Sequence, residues 1–217
     1  MTMKKILTIL FLLLFAMSCE KEDLVLSERE KIEVKYLQST RGMVIAADTV
    51  SVIQETPPFY DLFIRNKPNR YAFRHIVNYY DEGRENRELI YMGDKIVLTF
   101  FKAQTFDGSE PGLKNIYWSN IPEIIEELGK TSTNTLDWSE EPLTIELGET
   151  DILEGLEVAL PGCRDADSVQ VYMTSNFAYG KHLIGVVPKN SMVAWYMKIK
   201  KVKATVPGFD EDEDQLH

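Results

Sequence analysis

Cysteine is scarce in this sequence: 217 residues hold two, Cys19 and Cys163. That excludes the network of several disulfides that staples small exported domains. Histidine is nearly as rare. His75, His182 and His217 stand far apart, each without a second His or Cys nearby, so no zinc-type ligand spacing is present. Excess positive charge is missing too, with 24 Lys and Arg against 34 Asp and Glu and a formal charge of −10. Such a balance argues against nucleic acid, which needs concentrated Lys and Arg, and against a polybasic grip on anionic lipid. There is no Ser-His-Asp pattern, phosphate loop or metal motif, and no internal repeat. The one long apolar run, Ile6 to Met17, is broken only by Thr8. It falls short of the roughly 20 residues that span a bilayer.

What is present begins with that run. Lys4 and Lys5 precede it, and Ala16-Met17-Ser18-Cys19 follows it. A short positive start, an apolar core and small residues make a secretory signal. The end of the segment resembles the bacterial lipobox, which implies cleavage before Cys19 and acylation of Cys19 as the new N-terminus. The resemblance implies a lipid-anchored protein of the cell envelope, on the outer membrane of a Gram-negative bacterium. Each buried acyl CH₂ adds about 0.8 kcal/mol, so two or three chains hold a protein firmly. Cys163 is then left without a disulfide partner.

The rest divides into a tether and extension over 19–92, a domain over 93–204 and an acidic tail over 205–217. Ser27 with Glu30 suggests a capping box for a helix to about Gln38. Residues 42–54 are β-branched and apolar, suggesting one or two strands before Pro57-Pro58. Phe59 to Tyr80 is rich in aromatics and reads as a covering layer. Lys95 to Ala103 reads as a buried strand. Pro122 starts a short helix that Gly129 ends, with Ile121, Ile124, Ile125 and Leu128 on one face. Three further strands follow from alternation: Leu143-Ile145-Leu147, Val169-Val171-Met173, and Val193-Trp195-Met197-Ile199. Between the first two, a second helix is expected over Asp151–Leu160, begun by Thr150 or Asp151 and stopped by Pro161-Gly162. This order predicts an α+β domain, an antiparallel sheet curled around a short helix.

An ordered series occupies the second half. Leu147-Gly148 is followed by Asp151-Ile152-Leu153-Glu154-Gly155-Leu156, by Ala159-Leu160-Pro161-Gly162, by Phe177-Ala178-Tyr179-Gly180, and by Gly185-Val186-Val187-Pro188 before the last strand. Gly93-Asp94-Lys95-Ile96-Val97 opens the first long strand. The series resembles the FKBP-type peptidyl-prolyl cis–trans isomerases over about residues 93–203. The resemblance implies that Ile152 offers its backbone N–H to a substrate carbonyl and that Tyr179 donates its hydroxyl to another. It implies a pocket of Phe101, Tyr117, Leu143, Leu153, Leu156, Val186, Val187 and Trp195. The family's pocket Asp has no counterpart at Trp118, unless Asp107 replaces it from elsewhere.

The implied activity needs no cofactor, nucleophile or proton relay. Amide rotation faces a barrier of about 18–20 kcal/mol, so uncatalysed X–Pro isomerisation takes tens to hundreds of seconds. The twisted amide has lost resonance and is less polar, so a water-poor apolar cradle favours it. The implied partners are proline-containing polypeptides, with assistance to the folding of exported proteins as the wider role. The missing Asp leaves a second class open, an FKBP-like module that binds peptide with little or no catalysis. A third is a structural lipoprotein whose aromatic segment makes the contacts. Taken alone, alternation places Leu153, Leu156, Val187 and Trp195 simply in a core. Cys163 reads as a small buried apolar group and His182 as an exposed loop residue.

Overall fold

The computed structural model describes residues 71–106, 112–130 and 138–202, the backbone of 61–64, and residues 28, 31, 32 and 35–37 of an N-terminal helical segment. The leader over 1–18, Cys19, the helix start at Ser27, the strands expected within 42–54, Asp107 and the acidic tail lie outside the described residues.

The expected alternations form strands. In chain order these are β1 (Asp61–Ile64), β2 (Tyr71–Ile76), β3 (Lys95–Phe106), β4 (Ile116–Ser119), β5 (Leu143–Glu146), β6 (Ser168–Met173) and β7 (Met192–Lys201). They make one antiparallel sheet in the order β1-β2-β6-β7-β3-β4, with β5 also on β3. At twelve residues, β3 is long enough to serve two partners on the edge opposite β7. Its first four residues pair with β5 and Lys102–Gln104 pair with β4. A bulge between Leu98 and Phe100 separates the two pairings, which bends the strand and leaves local backbone groups to be satisfied otherwise. Asn120, 1% exposed, does so. Its Oδ1 accepts the Phe101 N–H at 2.8 Å and its Nδ2 donates to the Thr99 carbonyl at 3.0 Å. Ser119 Oγ donates to the Phe101 carbonyl at 2.8 Å.

The described part of the aromatic stretch before residue 80 does not form the expected covering layer. It supplies β1 and β2, and β2 extends the sheet through the pairing Ala72–Ile76 with Val169–Met173. Backbone pairing satisfies the N–H and C=O groups of such β-branched and aromatic residues better than a layer lying over the sheet would.

Two helices are described in full. α1 (Pro122–Gly129) has the expected bounds. α2 (Glu154–Ala159) begins later than the expected Asp151. Thr150 is not its cap: its hydroxyl accepts the Glu146 N–H at 2.8 Å and closes the turn after β5. Leu153 is extended, with φ −59 and ψ 132, so residues 151–153 run as open chain into the helix. α2 then packs across β2 and β6.

The sheet buries side chains on both faces. Under α2, Leu156, Ala159 and Leu160 meet Ile96, Leu98, Ile145, Val169, Val171 and Met197. The opposite face holds Phe73, Phe106, Tyr172, Met192 and Ala194, with Tyr36 and Leu37 of the N-terminal segment packed among them.

Candidate functional site

A cleft of about 420 Å³ opens between the entrance of α2, β5, the end of β4 and the turn after β6. Its floor is Trp195 of β7, 3% exposed, and Leu156 of α2, 1% exposed. Behind Trp195 the wall is aromatic. Phe101 stacks on it with centroids 5.6 Å apart and planes at 17°. Trp118 stands edge-on to both, at 4.8 Å from Phe101 and 5.6 Å from Trp195. Edge-on and offset contacts of this kind add about 0.5–1.5 kcal/mol each beyond area burial and hold the rings in place.

Tyr179 enters from the opposite side on the turn that follows β6. The turn Ser175–Phe177 leads into it, and Gly180 closes it at φ 57, a left-handed value that glycine adopts without strain. The Gly180 N–H donates to the Ser175 carbonyl at 2.7 Å, and the Gly180 carbonyl accepts the Asn190 N–H at 2.8 Å. Beneath Tyr179 lies Tyr117, edge-on at 5.8 Å between centroids. The Trp195 indole N–H donates to the Tyr117 hydroxyl at 2.8 Å. Burial raises the Tyr179 phenol above its usual value, against the opposing influence of the neighbouring Tyr117 hydroxyl. Burial raises Tyr117 further, well above the usual value, with the proximity of Tyr179 adding to it and the Trp195 hydrogen bond opposing. Both phenols therefore remain protonated donors at neutral pH.

Six of the expected site residues line this one cleft: Leu143, Ile152, Leu153, Leu156, Tyr179 and Trp195. Among the described residues the Ile152 backbone N–H has no hydrogen-bond partner. The extended conformation of 151–153 keeps it out of the helical ladder. Phe101 and Tyr117 stand one layer back, as supports of Trp195 and Tyr179. The late-loop pair lies elsewhere. Val187 is buried in the main core and Val186 is half exposed, and neither lines the cleft. Gly185, at φ 54, closes the tight bridge Ile184–Val187 that turns Val186 outward.

Lining residues that were not expected are Trp118, Ile145, Thr150, Asp151, Glu154 and Ala178. Trp118 had a signal in the sequence, since it stands where the resemblance calls for Asp. Thr150, Asp151 and Glu154 make the rim polar and acidic. Cys163 is buried away from the cleft, and burial pushes its thiol up to about 11, which removes it as a nucleophile. Among the described residues no group of three or more His, Cys, Asp or Glu side chains is placed to hold a metal ion. Nor is any described helix long and apolar enough to cross a membrane.

Residues 125–200 match the family model for FKBP-type peptidyl-prolyl cis–trans isomerases. No curated protein matches the chain. Among solved structures, it is similar to the three FKBP domains of wheat FKBP73 at 14% identity and a TM-score of 0.44. That similarity covers 65% of this chain and 50% of that one, so the chain spans about half the length of that structure. The chain has an FKBP-like fold, an antiparallel sheet with a short helix across one face, and its residues 125–200 are the part that matches the FKBP-type isomerase family.

Proposed function

We propose that the cleft catalyses cis–trans isomerisation of X–Pro bonds in polypeptides. The observation that carries this reading is that an unpartnered backbone N–H (Ile152) and a protonated tyrosine hydroxyl (Tyr179) share one cleft floored by Trp195 and Leu156. The apolar floor takes the proline ring and excludes water from the rotating amide. Loss of resonance makes the twisted amide less polar, so it gives up less solvation on entering such a site than the planar form does. The two donors fix the carbonyls on either side of the rotating bond, so that rotation is confined to that bond.

A second reading, a binding module with little catalysis, is favoured by Trp118. Its indole lies in the cleft at the position where the family resemblance calls for a carboxylate. Leu143 and Leu156 also make the lining less aromatic than the resemblance implies. The envelope location is part of the proposal and rests on sequence alone: the run Ile6–Met17 followed by Ala16-Met17-Ser18-Cys19. An intact mass of the protein from its native cells showing an unmodified Cys19 would refute that anchor.

A prolyl isomerisation assay on residues 20–217 tests the activity. The expected result is acceleration well above the uncatalysed rate. Removing one neutral hydrogen bond with Tyr179→Phe costs about 0.5–1.5 kcal/mol, a loss of roughly two- to tenfold in kcat/KM. A folded protein that gives no acceleration sinks the isomerase reading and leaves the binding module.

A further inference from the structure

We propose, independently of the isomerase reading, that the open half of the sheet face opposite α2 is the docking site of this chain's own C-terminal segment, with Phe209 in an apolar groove and Asp210–Asp214 on the lysines around it.

Partners across a ladder share a face of the sheet, so the register sorts this face into rows. In one half Phe106 pairs with Met192 and Gln104 with Ala194, and Tyr36 and Leu37 of the N-terminal segment pack there. In the other half Lys102 pairs with Tyr196, Phe100 with Lys198 and Val97 with Lys200. Here Phe100 is 54% exposed, and Lys198 and Lys200 are exposed as well. A groove of about 300 Å³ lies between Phe100, Tyr196, and Ile121 and Ile124 at the start of α1, with Lys102 and Lys198 also lining it. Its volume is at the small end of ligand clefts, which run from about 300 to 1,000 Å³, and so suits a single side chain. Among the described residues no carboxylate lines it. Lys102 Nζ stands 4.6 Å above the Tyr196 ring. Among the described residues neither Lys198 nor Lys200 has an ion-pair partner. Standing two residues apart on one face of β7, these two ammonium groups repel each other, and an anionic segment laid across them relieves that repulsion.

A segment of matching chemistry follows β7 in the sequence. The Val202 N–H donates to the Lys95 carbonyl at 2.9 Å. Beyond it come Pro207-Gly208, Phe209 and the run Asp210-Glu211-Asp212-Glu213-Asp214, the one stretch of five consecutive carboxylates in the sequence. Pro-Gly is a turn signal. The seven residues from Val202 to Phe209 reach at most about 23–25 Å. Returning four residues along the strand to the level of Lys198 takes about 13 Å. The chain can therefore reverse and set Phe209 beside Phe100, with the carboxylates following over Lys198 and Lys102. A tether this short gives an effective concentration in the mM range, so a contact that is weak between molecules is occupied within one.

Zero-length carbodiimide coupling on the full chain, with the linked peptides identified by mass spectrometry, tests this. The expected result is links within one chain from Asp210–Asp214 to Lys102, Lys198 or Lys200, at a yield independent of protein concentration. The yield should fall about fivefold or more in 1 M salt, where the Debye length is about 3 Å, and several-fold in Phe209→Ala. Links spread evenly over lysines elsewhere, such as Lys114 and Lys189, would overturn the proposal, as would links that form only between molecules. The second measurement is the amide NMR spectrum of Phe209→Ala against the unmutated protein. Shifts at Phe100, Ile124, Tyr196 and Lys198 are expected. Shifts confined to residues 203–215 would overturn the proposal. Should Phe209→Ala fail to fold, the position and salt dependence of the links in the unmutated protein still decide.

Discussion

Gly155 offers a test in which two physical arguments predict opposite signs. It is the second residue of α2, where replacing glycine by alanine ordinarily stabilises a helix by about 0.5–1 kcal/mol. Here a Cβ would lie 2.8 Å from Met173 Sδ, 3.1 Å from Met173 Cβ and 3.2 Å from Phe177 Cβ. The sulfur sits on a flexible side chain, but Met173 is fully buried and so is Phe177. The two Cβ atoms move only with their backbones. Overpacking of this kind costs about 1–3 kcal/mol, which outweighs the propensity gain and leaves Gly155→Ala destabilised by about 1–2 kcal/mol. With a urea slope of about 2 kcal/mol per molar, the unfolding midpoint should fall by about 0.5–1 M. The strain also has a functional direction. Ile152 and Leu153 stand just before Gly155, and Phe177 stands two residues before Tyr179, so separating α2 from the Ser175–Phe177 turn pulls apart the two donors of the cleft. In the folded protein at 15 °C, kcat/KM should fall several-fold, beyond what the unfolded fraction explains. A midpoint that rises in Gly155→Ala would refute the packing argument and show that the helix alone decides at this position.

Two further outcomes follow from the charged groups. Asp167 is fully buried and accepts Arg84 Nε at 2.8 Å, Arg84 Nη2 at 2.7 Å and the Arg164 N–H at 2.8 Å. Arg84→Met strands that carboxylate and should cost about 3–5 kcal/mol in urea unfolding, while Arg84→Met with Asp167→Asn should recover a large part of it. At Asp94, burial works to raise the pKa but is outweighed by the Lys201 ammonium at 2.7 Å, the Tyr91 N–H and the attraction of Lys201, so the carboxyl is held below its ordinary 3.8. A depressed folded value contributes stability that is complete above the unfolded pKa and lost as pH falls through the folded one. The urea midpoint of Asp94→Asn should therefore lie below that of the unmutated protein at pH 7 and converge with it below pH 4; a gap that persists at pH 2 would refute the linkage.

Much of the frame was legible in the sequence because it rests on short-range periodicity. Val169-Val171-Met173 and Val193-Trp195-Met197-Ile199 alternate because one sheet face meets α2, and Pro122 and Gly129 bound α1 by their own backbone preferences. The misses have separate causes, one distant in sequence and two local. Phe59–Tyr80 looked like a cover because aromatics mark burial without naming the partner, and the partner of β2 is β6, nearly a hundred residues on. The start of α2 slipped because Thr150, a good cap by type, is already engaged by the Glu146 N–H. Val186 and Val187 were placed in the cleft by motif position, but the turn at Gly185 sends one outward and the other into the core. Six cleft residues were found because family spacing keeps them in order. Trp118 was missed as a lining residue because a departure from a motif says what is lost and not what the new side chain does.

The chemistry of the cleft's donors has a consequence for pH. The donors that face the cleft floor are the Tyr179 phenol and the Ile152 backbone amide, with the Trp195 indole and the Tyr117 phenol behind them, and none of these changes charge between pH 5 and 9. Burial raises both phenols above the usual value of 10.0, so the donor at Tyr179 persists to still higher pH than in an exposed tyrosine. Under the isomerase reading, kcat/KM should be level from pH 5 to 9 on an uncharged proline peptide and should fall only above 10, as Tyr179 loses its proton. Tyr179→Phe removes that group and should abolish the alkaline fall while lowering the plateau. An uncharged peptide that gives a bell-shaped profile centred near neutrality would refute the argument, because neither the Tyr179 phenol nor the Ile152 amide changes charge there.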